Sequence, residues 1–430
     1  MTVFSKNMSA FRIIIVGGGI AGLSAAIALR GDERDIVVLE QSSISQEIGA
    51  LISLQPNASK IVEDQWGLGA RLREQGSMID EAFEIYNTKG ELQSQILLSA
   101  VSSKYGADRV CYHRADLHQA LRERATSPDY PGRPVELRLS SRVLDCDCET
   151  GTVKLQNGET IQGDLVIGAD GIKSKLRKAV LGEDVEARPT GLSAYRMMIP
   201  TDELIKEKDF LQVLDPRICR TAMVIGQDRR LIMGPARNGS VYGVVALVPD
   251  ERMNESSKDT SWTTKGDRDK MLDTFSNFPQ WAQRPLLSAK EVGLWQLRDL
   301  DPLSTWYRGR VLLIGDAAHA MLPTQGQGAG QAVEDAEALG AFYKDFEKRY
   351  PDRSLSDVSK TNEDIFNCRY ERATTIQMYS RQAAKPGTDL SENRVTMNPA
   401  EFMDYNCLYD GAMEWNRRRQ GQGTVASAAA

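Results

Sequence analysis

Three glycine-containing segments carry the backbone amides and side chains that could hold an anionic cofactor. They are Gly17–Gly22, Gly168–Gly171 and Gly315–His319, and each directly follows an apolar run. The second and third segments also place a carboxylate, Asp170 and Asp316, where the apolar run ends. Glycine lets a backbone approach a phosphate closely, and a carboxylate accepts hydrogen bonds from sugar hydroxyls. Three such segments in this order predict one dinucleotide held along its whole length, which favours a flavoenzyme.

The first segment lies in a strand–turn–helix–strand pattern that is typical of a mononucleotide-binding unit. The apolar run Phe11–Val16 precedes it, the small-residue run Leu23–Leu29 follows it, and a second apolar run ends at Glu40. A carboxylate at this distance accepts hydrogen bonds from the adenosine ribose hydroxyls and disfavours a 2′-phosphate there. The tight turn, the close approach to the pyrophosphate and the helix–strand packing are assigned respectively to Gly17, Gly19 and Gly22.

The third segment is followed by a second glycine-rich stretch. Asp316 is placed to bind a hydroxyl-rich chain such as ribityl, with a helix N-cap as the alternative role for its side chain. The amides of Gly326–Gly330 can lie against a flavin ring and donate hydrogen bonds to its polar edge. His319 is interpreted as a structural residue rather than as a catalytic base.

The composition excludes several classes of protein. The chain has 430 residues, a net charge of −6 and no long basic run, so neither nucleic acid nor an anionic membrane surface is predicted as a partner. The six cysteines have no metal-ligand spacing, and no metal cluster or Ser-His-Asp set can be assembled around the three histidines. A polar N-terminus and the lack of a membrane-length apolar run predict a cytoplasmic protein with reduced thiols and small-molecule partners.

Together the three segments resemble the fingerprints of the group A flavoprotein monooxygenases, which are single-component, FAD-dependent aromatic hydroxylases. The resemblance covers roughly residues 10 to 345, and His113–Leu117 and Gln331–Ala336 make it closest to the salicylate hydroxylase branch. This chain departs from the common pattern at Leu51, where members often have glycine, and at Gln331, where many have asparagine. Both departures affect the shape of the pocket rather than its redox groups.

The resemblance implies a cycle in which NAD(P)H reduces FAD, dioxygen adds to give a flavin C4a-hydroperoxide, and one oxygen passes to a small electron-rich aromatic ring. It also implies that Arg114 contacts the FAD diphosphate and ribose, that Asp170 serves both FAD and a transiently bound NAD(P)H, and that the Pro323 carbonyl overhangs the substrate. The complete set of predicted cofactor-binding residues is Gly17, Gly19, Gly22, Glu40, Gln41, Ala50, Arg114, Asp170, Asp316, Gly326, Gly328 and Ala329.

The spacing of the segments predicts an α/β fold with a discontinuous domain organisation. A Rossmann-like FAD-binding domain is assigned to 10–75, 102–184 and 285–345, and an inserted mixed β-sheet substrate domain to 76–101 and 185–284. C-terminal helices are assigned to 346–420, followed by a disordered tail over 421–430. The inserted sheet is the expected floor of the substrate cavity.

Substrate-side candidates lie on this predicted sheet, and the catalytic set is Arg196, Tyr195 and Pro323. Tyr195 and Arg196 are adjacent on one strand and point to opposite faces, so only one of them can face the cavity. Arg196 is preferred as the anchor of a phenolate or carboxylate, because its guanidinium presents a planar fork of donors. The alternative for Arg196 is that its guanidinium is a solvent-exposed charge at the edge of the sheet. Weaker candidates are Arg237 and Tyr242, and four methionines are assigned either to the cavity or to the core: Met197, Met198, Met223 and Met233.

Two rival functions stay open from the sequence. One is an FAD-dependent epoxidase or indole-type oxidase of secondary metabolism, which would use the same oxygen chemistry on an alkene or a fused heteroaromatic. The other is a non-enzymatic FAD-fold protein that escorts a lipidated partner, which predicts neither tight flavin nor NAD(P)H oxidation. Substrate identity, the choice of NADH or NADPH and the oligomeric state are not determined by these patterns.

Overall fold

A computed structural model describes residues 10–43, 50–252, 263–384 and 396–419. The tail predicted to be disordered, 421–430, lies outside the described residues. Within the described residues, strands are numbered β1–β20 and helices α1–α15 in chain order. The predicted α/β class, with mixed sheets and C-terminal helices, is confirmed.

The first sheet has six strands in the order β19-β20-β12-β1-β2-β8, and all neighbours are parallel except β19 and β20. Its strands are β1 Phe11–Val16, β2 Arg34–Leu39, β8 Glu136–Arg138, β12 Leu165–Gly168, β19 Tyr307–Arg308 and β20 Val311–Leu313. The apolar runs that precede the three glycine segments are β1, β12 and β20. Because these strands are parallel and adjacent, their carboxyl ends bring the three segments to one edge of the sheet.

The second sheet has eight strands in the order β17-β18-β13-β16-β15-β14-β5-β6. It is mixed, because β14 and β5 are parallel while the other neighbours are antiparallel. Its strands are β5 Ala82–Asn87, β6 Leu92–Leu97, β13 Arg188–Pro200, β14 Arg220–Ile225, β15 Arg230–Ala236, β16 Val241–Pro249, β17 Thr263–Lys265 and β18 Gly293–Asp299. We call it the substrate sheet.

Two small antiparallel sheets complete the strands. One is β11-β10-β9 and the other is β3-β7-β4. Their strands are β3 Leu51–Leu54, β4 Met78–Ile79, β7 Val110–His113, β9 Val143–Asp147, β10 Thr152–Leu155 and β11 Thr160–Gln162. Strand β3 packs on the face of the substrate sheet formed by β15 and β16, and it also contacts α2.

The helices cover both large sheets. They are α1 Ile20–Leu29, α2 Pro56–Lys60, α3 Gly69–Glu74, α4 Leu98–Tyr105, α5 Arg114–Thr126, α6 Leu176–Leu181, α7 Thr201–Leu204, α8 Lys208–Leu211, α9 Arg268–Thr274, α10 Gln280–Ser288, α11 Asp316–His319, α12 Gly328–Phe342, α13 Phe346–Arg349, α14 Leu355–Ala384 and α15 Pro399–Cys407. Residues 412–419 are also helical. Helix α1 packs against both α5 and α12, and α12 packs against the long helix α14.

One element differs from the predicted domain boundaries. Strand β18 at Gly293–Asp299 pairs with β13 in the substrate sheet, whereas the sequence assigned 285–345 to the FAD-binding domain. The register places Leu294 beside Tyr195, and both side chains are buried in the core on one face of this sheet. The boundary was misplaced because the chain returns to the six-stranded sheet only at β19, and no glycine or proline cluster marks that return.

Candidate cofactor and substrate site

Two glycines of the first segment leave no room for a side chain, and a third borders open space. Gly17 has φ +107°, and a Cβ there would lie 2.2 Å from the Ala169 carbonyl oxygen. A Cβ on Gly22 would lie 1.9 Å from the Gly17 carbonyl oxygen, so a side chain at either position would force the backbone apart. A Cβ on Gly19 would meet no protein atom within 4 Å. The turn is therefore tightly packed at Gly17 and Gly22. It is open at Gly19, where a pyrophosphate would approach.

Glu40 holds the same turn from the end of β2. One of its carboxylate oxygens accepts from the Gly18 amide at 2.8 Å, and the other accepts from the Ser42 amide at 2.8 Å. The Gly18 carbonyl lies 2.7 Å from Nε2 of His118 on α5. Gln41 is exposed beside this contact. Glu40 is partly exposed, and each carboxylate oxygen retains capacity to accept from a ribose hydroxyl.

Asp170 of the second segment is bound by the turn that follows it. Its carboxylate accepts from the Ser174 hydroxyl at 2.6 Å and from the amides of Lys175 and Leu176 at 2.7 and 3.2 Å. Burial raises the pKa of Asp170, and these hydrogen bonds oppose that rise. The side chain therefore caps the start of α6 at the opening of the site.

Arg177 joins the second and third segments and was not singled out from the sequence. The side chain is 1% exposed, and its guanidinium donates to the carbonyls of Asp316 and Ala317 at 3.0 and 2.9 Å. It also donates to the carbonyls of Ile172 and Val185 at 3.1 and 3.2 Å. Because these acceptors are all backbone carbonyls, and two of them lie about 140 residues away, no local sequence pattern signals the contact.

Asp316 of the third segment is exposed, although its neighbours Ala317, Ala318 and His319 are buried. No described residue donates a side-chain hydrogen bond to its carboxylate. The surrounding protein raises the pKa of Asp316 by burial, and the positive charges of His319, Arg114 and Arg177 oppose that rise. An unpaired carboxylate that is open to solvent, with Arg114 and Arg177 near enough to affect its pKa, fits a site for a hydroxyl-rich group.

A buried ionic network lies beneath the third segment. Asp335 of α12 accepts from the Gly315 amide at 3.0 Å and contacts Nε2 of His319 at 2.7 Å, and Arg369 of α14 donates to its other oxygen at 3.0 Å. Arg369 also pairs with Glu334, and all four side chains of the network are at most 1% exposed. His319 is thus held in a buried pair, as a structural role requires.

The glycine-rich stretch Pro323–Gly330 forms a loop and the first turn of α12. The exposed Pro323 uses its carbonyl to accept from the Gly326 amide at 2.9 Å, which leaves one lone pair of that oxygen available. The Gln325 carbonyl accepts from the Gln55 side chain at 2.8 Å. No described residue accepts a hydrogen bond from the first-turn amides of Gly328 and Ala329. These amides form the positive end of a 15-residue helix.

Ala50 and Arg114 are joined by a backbone hydrogen bond. The Arg114 amide donates to the Ala50 carbonyl at 2.9 Å, which ties the start of α5 to β3. The guanidinium of Arg114 lies near enough to Asp316 and to Arg196 for its charge to change the pKa of both groups. Cofactor candidates from three separate segments and Arg196 of the substrate sheet therefore meet in one region.

Arg196 faces the FAD-binding domain from β13. The side chain is partly exposed, its Nε atom is buried without a hydrogen-bond partner, and its guanidinium lies 5.0 Å from the ring centre of Trp295. Burial lowers the pKa of Arg196, and the charge of Arg114 lowers it further. No described carboxylate pairs with this guanidinium, so the site contains a partly desolvated cation suited to an anion.

Tyr195 lies on the other face of β13. It is completely buried in a core cluster with residues of α9 and α10. Tyr242, Met197 and Met233 are buried in the same cluster, whereas Met198 and Met223 are partly exposed on the face that carries Arg196. The alternation of β13 thus places Arg196 in the candidate site and Tyr195 in the core.

Arg237 is placed outside the candidate site. It donates two hydrogen bonds to the Asp116 carboxylate, at 2.8 and 2.7 Å, and so links the β15–β16 hairpin to α5. No group of three or more metal-ligating side chains occurs among the described residues, and no described helix is long and apolar enough to cross a membrane. All six cysteines are buried and unpaired.

Comparison with known proteins identifies similar sequences and folds. The family model described as FAD binding domain matches residues 10–345. Hispidin-3-hydroxylase of Neonothopanus nambi is 32% identical over 353 residues, which are 80% of this chain and 82% of that protein. 3-Hydroxybenzoate 6-hydroxylase 1 of Aquipseudomonas alcaligenes is 31% identical over 412 residues, which are 92% and 97% of the two chains. A solved salicylate hydroxylase substrate complex is 28% identical, with a TM-score of 0.72 over 89% of this chain and 92% of that one.

Proposed function

The chain belongs to the family that shares this FAD binding domain and is an FAD-dependent monooxygenase, and we propose that it hydroxylates an electron-rich aromatic substrate with NAD(P)H and dioxygen as co-substrates. The relatives described above are named hydroxylases of aromatic compounds, which supports this substrate class. The relatives are enzymes, which disfavours a non-enzymatic escort role for this chain.

The observation that carries the proposal is the unpaired Arg196 at the floor of the site. A guanidinium that is partly desolvated, without a described carboxylate partner, is costly unless a ligand supplies the negative charge. A phenolate or an aromatic carboxylate supplies it in a geometry that the guanidinium can bind with two hydrogen bonds. Trp295 lies beside the guanidinium and restricts its position.

The residues present fit FAD in an extended arrangement. Gly17, Gly19 and the N-terminus of α1 would hold the pyrophosphate, and Glu40 would accept from the adenosine ribose. Asp316 would bind the ribityl hydroxyls, while the amides of Gly328 and Ala329 would donate to the polar edge of the ring. When bound, the flavin accepts a hydride from NAD(P)H and activates dioxygen.

The protein itself positions the reactants and excludes water. The Arg196 side chain would hold the acidic group of the substrate and favour its ionised form, because a nearby cation stabilises a phenolate. An ionised hydroxyl makes the ring a better nucleophile toward an electrophilic oxygen. The buried sheet face and the loop Pro323–Gly330 would keep bulk water from the reacting atoms.

Arg196→Ala tests this proposal, with Arg188→Ala as the matched control. Arg188 lies on the same strand β13, but its side chain is 82% exposed and pairs only with Asp301 among the described residues. We expect Arg196→Ala to retain FAD and to weaken the binding of phenolic and aromatic-acid substrates by about 10- to 150-fold, since a hydrogen bond to a charged group contributes about 1.5–3 kcal/mol.

The assay measures NAD(P)H oxidation and product formation with a panel of phenols, aromatic acids and indoles. Wild type and Arg188→Ala should respond alike to the acidic aromatics. Hydroxylation by Arg196→Ala at the wild-type rate and substrate concentration would contradict the anchoring role. A preference for neutral indoles or alkenes over all acidic aromatics would instead favour the epoxidase or indole-type oxidase.

A further inference from the structure

A row of side chains crosses the substrate sheet from Arg196. Strand pairing places Arg196 beside Val245, Val245 beside Ile232, Ile232 beside Met223, and Met223 beside Ile85. All five side chains are partly exposed. We call this set the apolar row, because every member after Arg196 is aliphatic or a thioether.

One side of the row is covered by the FAD-binding domain. Gly243 and Gly234 face each other on neighbouring strands, and both are buried. A Cβ on Gly243 would lie 2.7 Å from the Cβ of Leu51, and a Cβ on Gly234 would lie 3.5 Å from the Leu51 side chain. The two glycines thus form a notch that receives Leu51 of β3. Further along the same edge, the Thr221 hydroxyl donates to the buried Asp80 at 2.6 Å.

The other side of the row is covered by Leu322, which follows the third glycine segment, and by α14. Ala194 and Leu247 pack with Leu322, which directly precedes Pro323. Arg230 donates to the Ala383 carbonyl at the end of α14 at 2.7 Å. The apolar row therefore lies at the bottom of a groove between two covered edges.

The groove opens at its far end. The last residue of the row, Ile85, pairs with Ser94 of β6, and every residue of β6 is exposed. Toward the other end, the row stops at Arg196, whose guanidinium lies against Trp295. Solvent thus reaches the row at the end that contains Met223 and Ile85. The positive charge of Arg196 lies at the opposite end.

The length of the row exceeds that of a single aromatic ring. Neighbouring strands are about 4.8 Å apart, so Met223 lies about 14 Å and Ile85 about 19 Å from Arg196 across the sheet. One ring bound at Arg196 would cover about one or two of these spacings. Met223 and Ile85, which lie beyond two spacings, would then face water, although both side chains are apolar.

Building on the proposed function, we propose that the substrate is an elongated amphipathic aromatic compound. Its phenolic or acidic end binds Arg196, and its apolar remainder, a hydrocarbon chain or further rings, lies along Val245, Ile232 and Met223. Burial of this part displaces water from the row and supplies binding energy that a single-ring acid cannot obtain.

A series of para-alkylphenols from methyl to heptyl tests the inference. The dissociation constant of each phenol is measured on the FAD-loaded enzyme from the absorbance change of the bound flavin. Each added methylene should tighten binding by about two- to fourfold, as expected for a buried CH₂, until the chain passes the end of the row. Affinity that stays constant or falls with chain length would overturn the proposal.

Met223→Asp provides the second measurement, with Leu92→Asp as its control on the exposed strand β6. A charge in the row should reduce the gain from methyl to heptyl by at least about tenfold, because a carboxylate next to an alkyl chain must be desolvated. Leu92→Asp should leave that gain as in wild type. Equal gains in wild type and Met223→Asp would overturn the proposal.

The two proposals fail in different ways. If no phenol of any length changes the flavin spectrum or stimulates NAD(P)H oxidation, the proposed function fails, and this inference fails with it. If short phenols bind and react but chain length has no effect, only the inference about the apolar row fails.

Discussion

Asp335→Asn tests whether the buried network beneath the third glycine segment positions the cofactor loop. In wild type, burial alone would raise the pKa of this carboxyl, but the charge and hydrogen bond of His319, the charge of Arg369 and the Gly315 amide bring the pKa down to about 2. Against the ordinary value of 3.8, this difference corresponds to about 2 kcal/mol of folding free energy.

The sign follows from the direction of the pKa change. A carboxyl whose pKa is lower in the folded than in the unfolded protein stabilises the fold above about pH 4, and this stabilisation is lost as the pH falls toward about 2. At pH 7 we expect Asp335→Asn to lower the free energy of unfolding by about 2 kcal/mol, because Arg369 keeps its pair with Glu334 and is not left with an uncompensated charge. The difference from wild type should shrink near pH 3.

Urea unfolding at pH 7 and pH 3 measures the stability, and flavin fluorescence measures the FAD dissociation constant at pH 7. Because the Gly315 amide loses a charged acceptor, the adjacent Asp316 should be less well positioned and FAD should bind more weakly. Asp345→Asn is the matched control, since that side chain is exposed and pairs with Lys348. Asp335→Asn with wild-type unfolding and wild-type FAD affinity would refute the reasoning.

Three further variants concern the glycine segments directly. Gly22→Ala should weaken FAD binding and destabilise the fold, because its Cβ would lie 1.9 Å from the Gly17 carbonyl oxygen. The Cβ of Gly19→Ala would meet no protein atom within 4 Å. This variant should therefore lower the affinity for FAD more than it lowers the free energy of unfolding in urea. Asp316→Ala should be isolated without flavin absorbance and should unfold like FAD-free wild type, since no described residue donates a side-chain hydrogen bond to its carboxylate. Tight FAD binding by this variant would exclude the ribityl role.

The fold class and the cofactor were predictable because their signals are local. Each glycine segment stands next to the strand that places it, so a short stretch such as Phe11–Gly22 contains both the strand and the reason for its turn. Parallel pairing of three such strands then brings the segments together without further information. The alternation of β13 likewise predicted that Arg196 and Tyr195 would face opposite ways, and the donor geometry of the guanidinium favoured Arg196 as the anchor.

The supporting contacts were not predictable, since they join residues far apart in the chain. Arg177 is bound by backbone carbonyls, which every residue has, so its partners leave no trace in residue types. Arg369 is separated by 34 residues from Asp335, and both lie in helices whose other positions are ordinary. The notch at Gly234 and Gly243 follows from strand register, which fixes which glycines are neighbours and is not encoded within either strand.

Helix α14 supplies the cations that compensate two carboxylates under the cofactor loop, and this has a consequence for biosynthesis. Glu334 and Asp335 leave the ribosome before Arg369 does, so the nascent chain at that stage carries two negative charges that its fold cannot yet enclose. We expect FAD capture to be a late event in synthesis, after the C-terminal helix has emerged. Ribosome-bound chains arrested ahead of Arg369 should therefore hold no flavin, whereas chains released after α14 should acquire it.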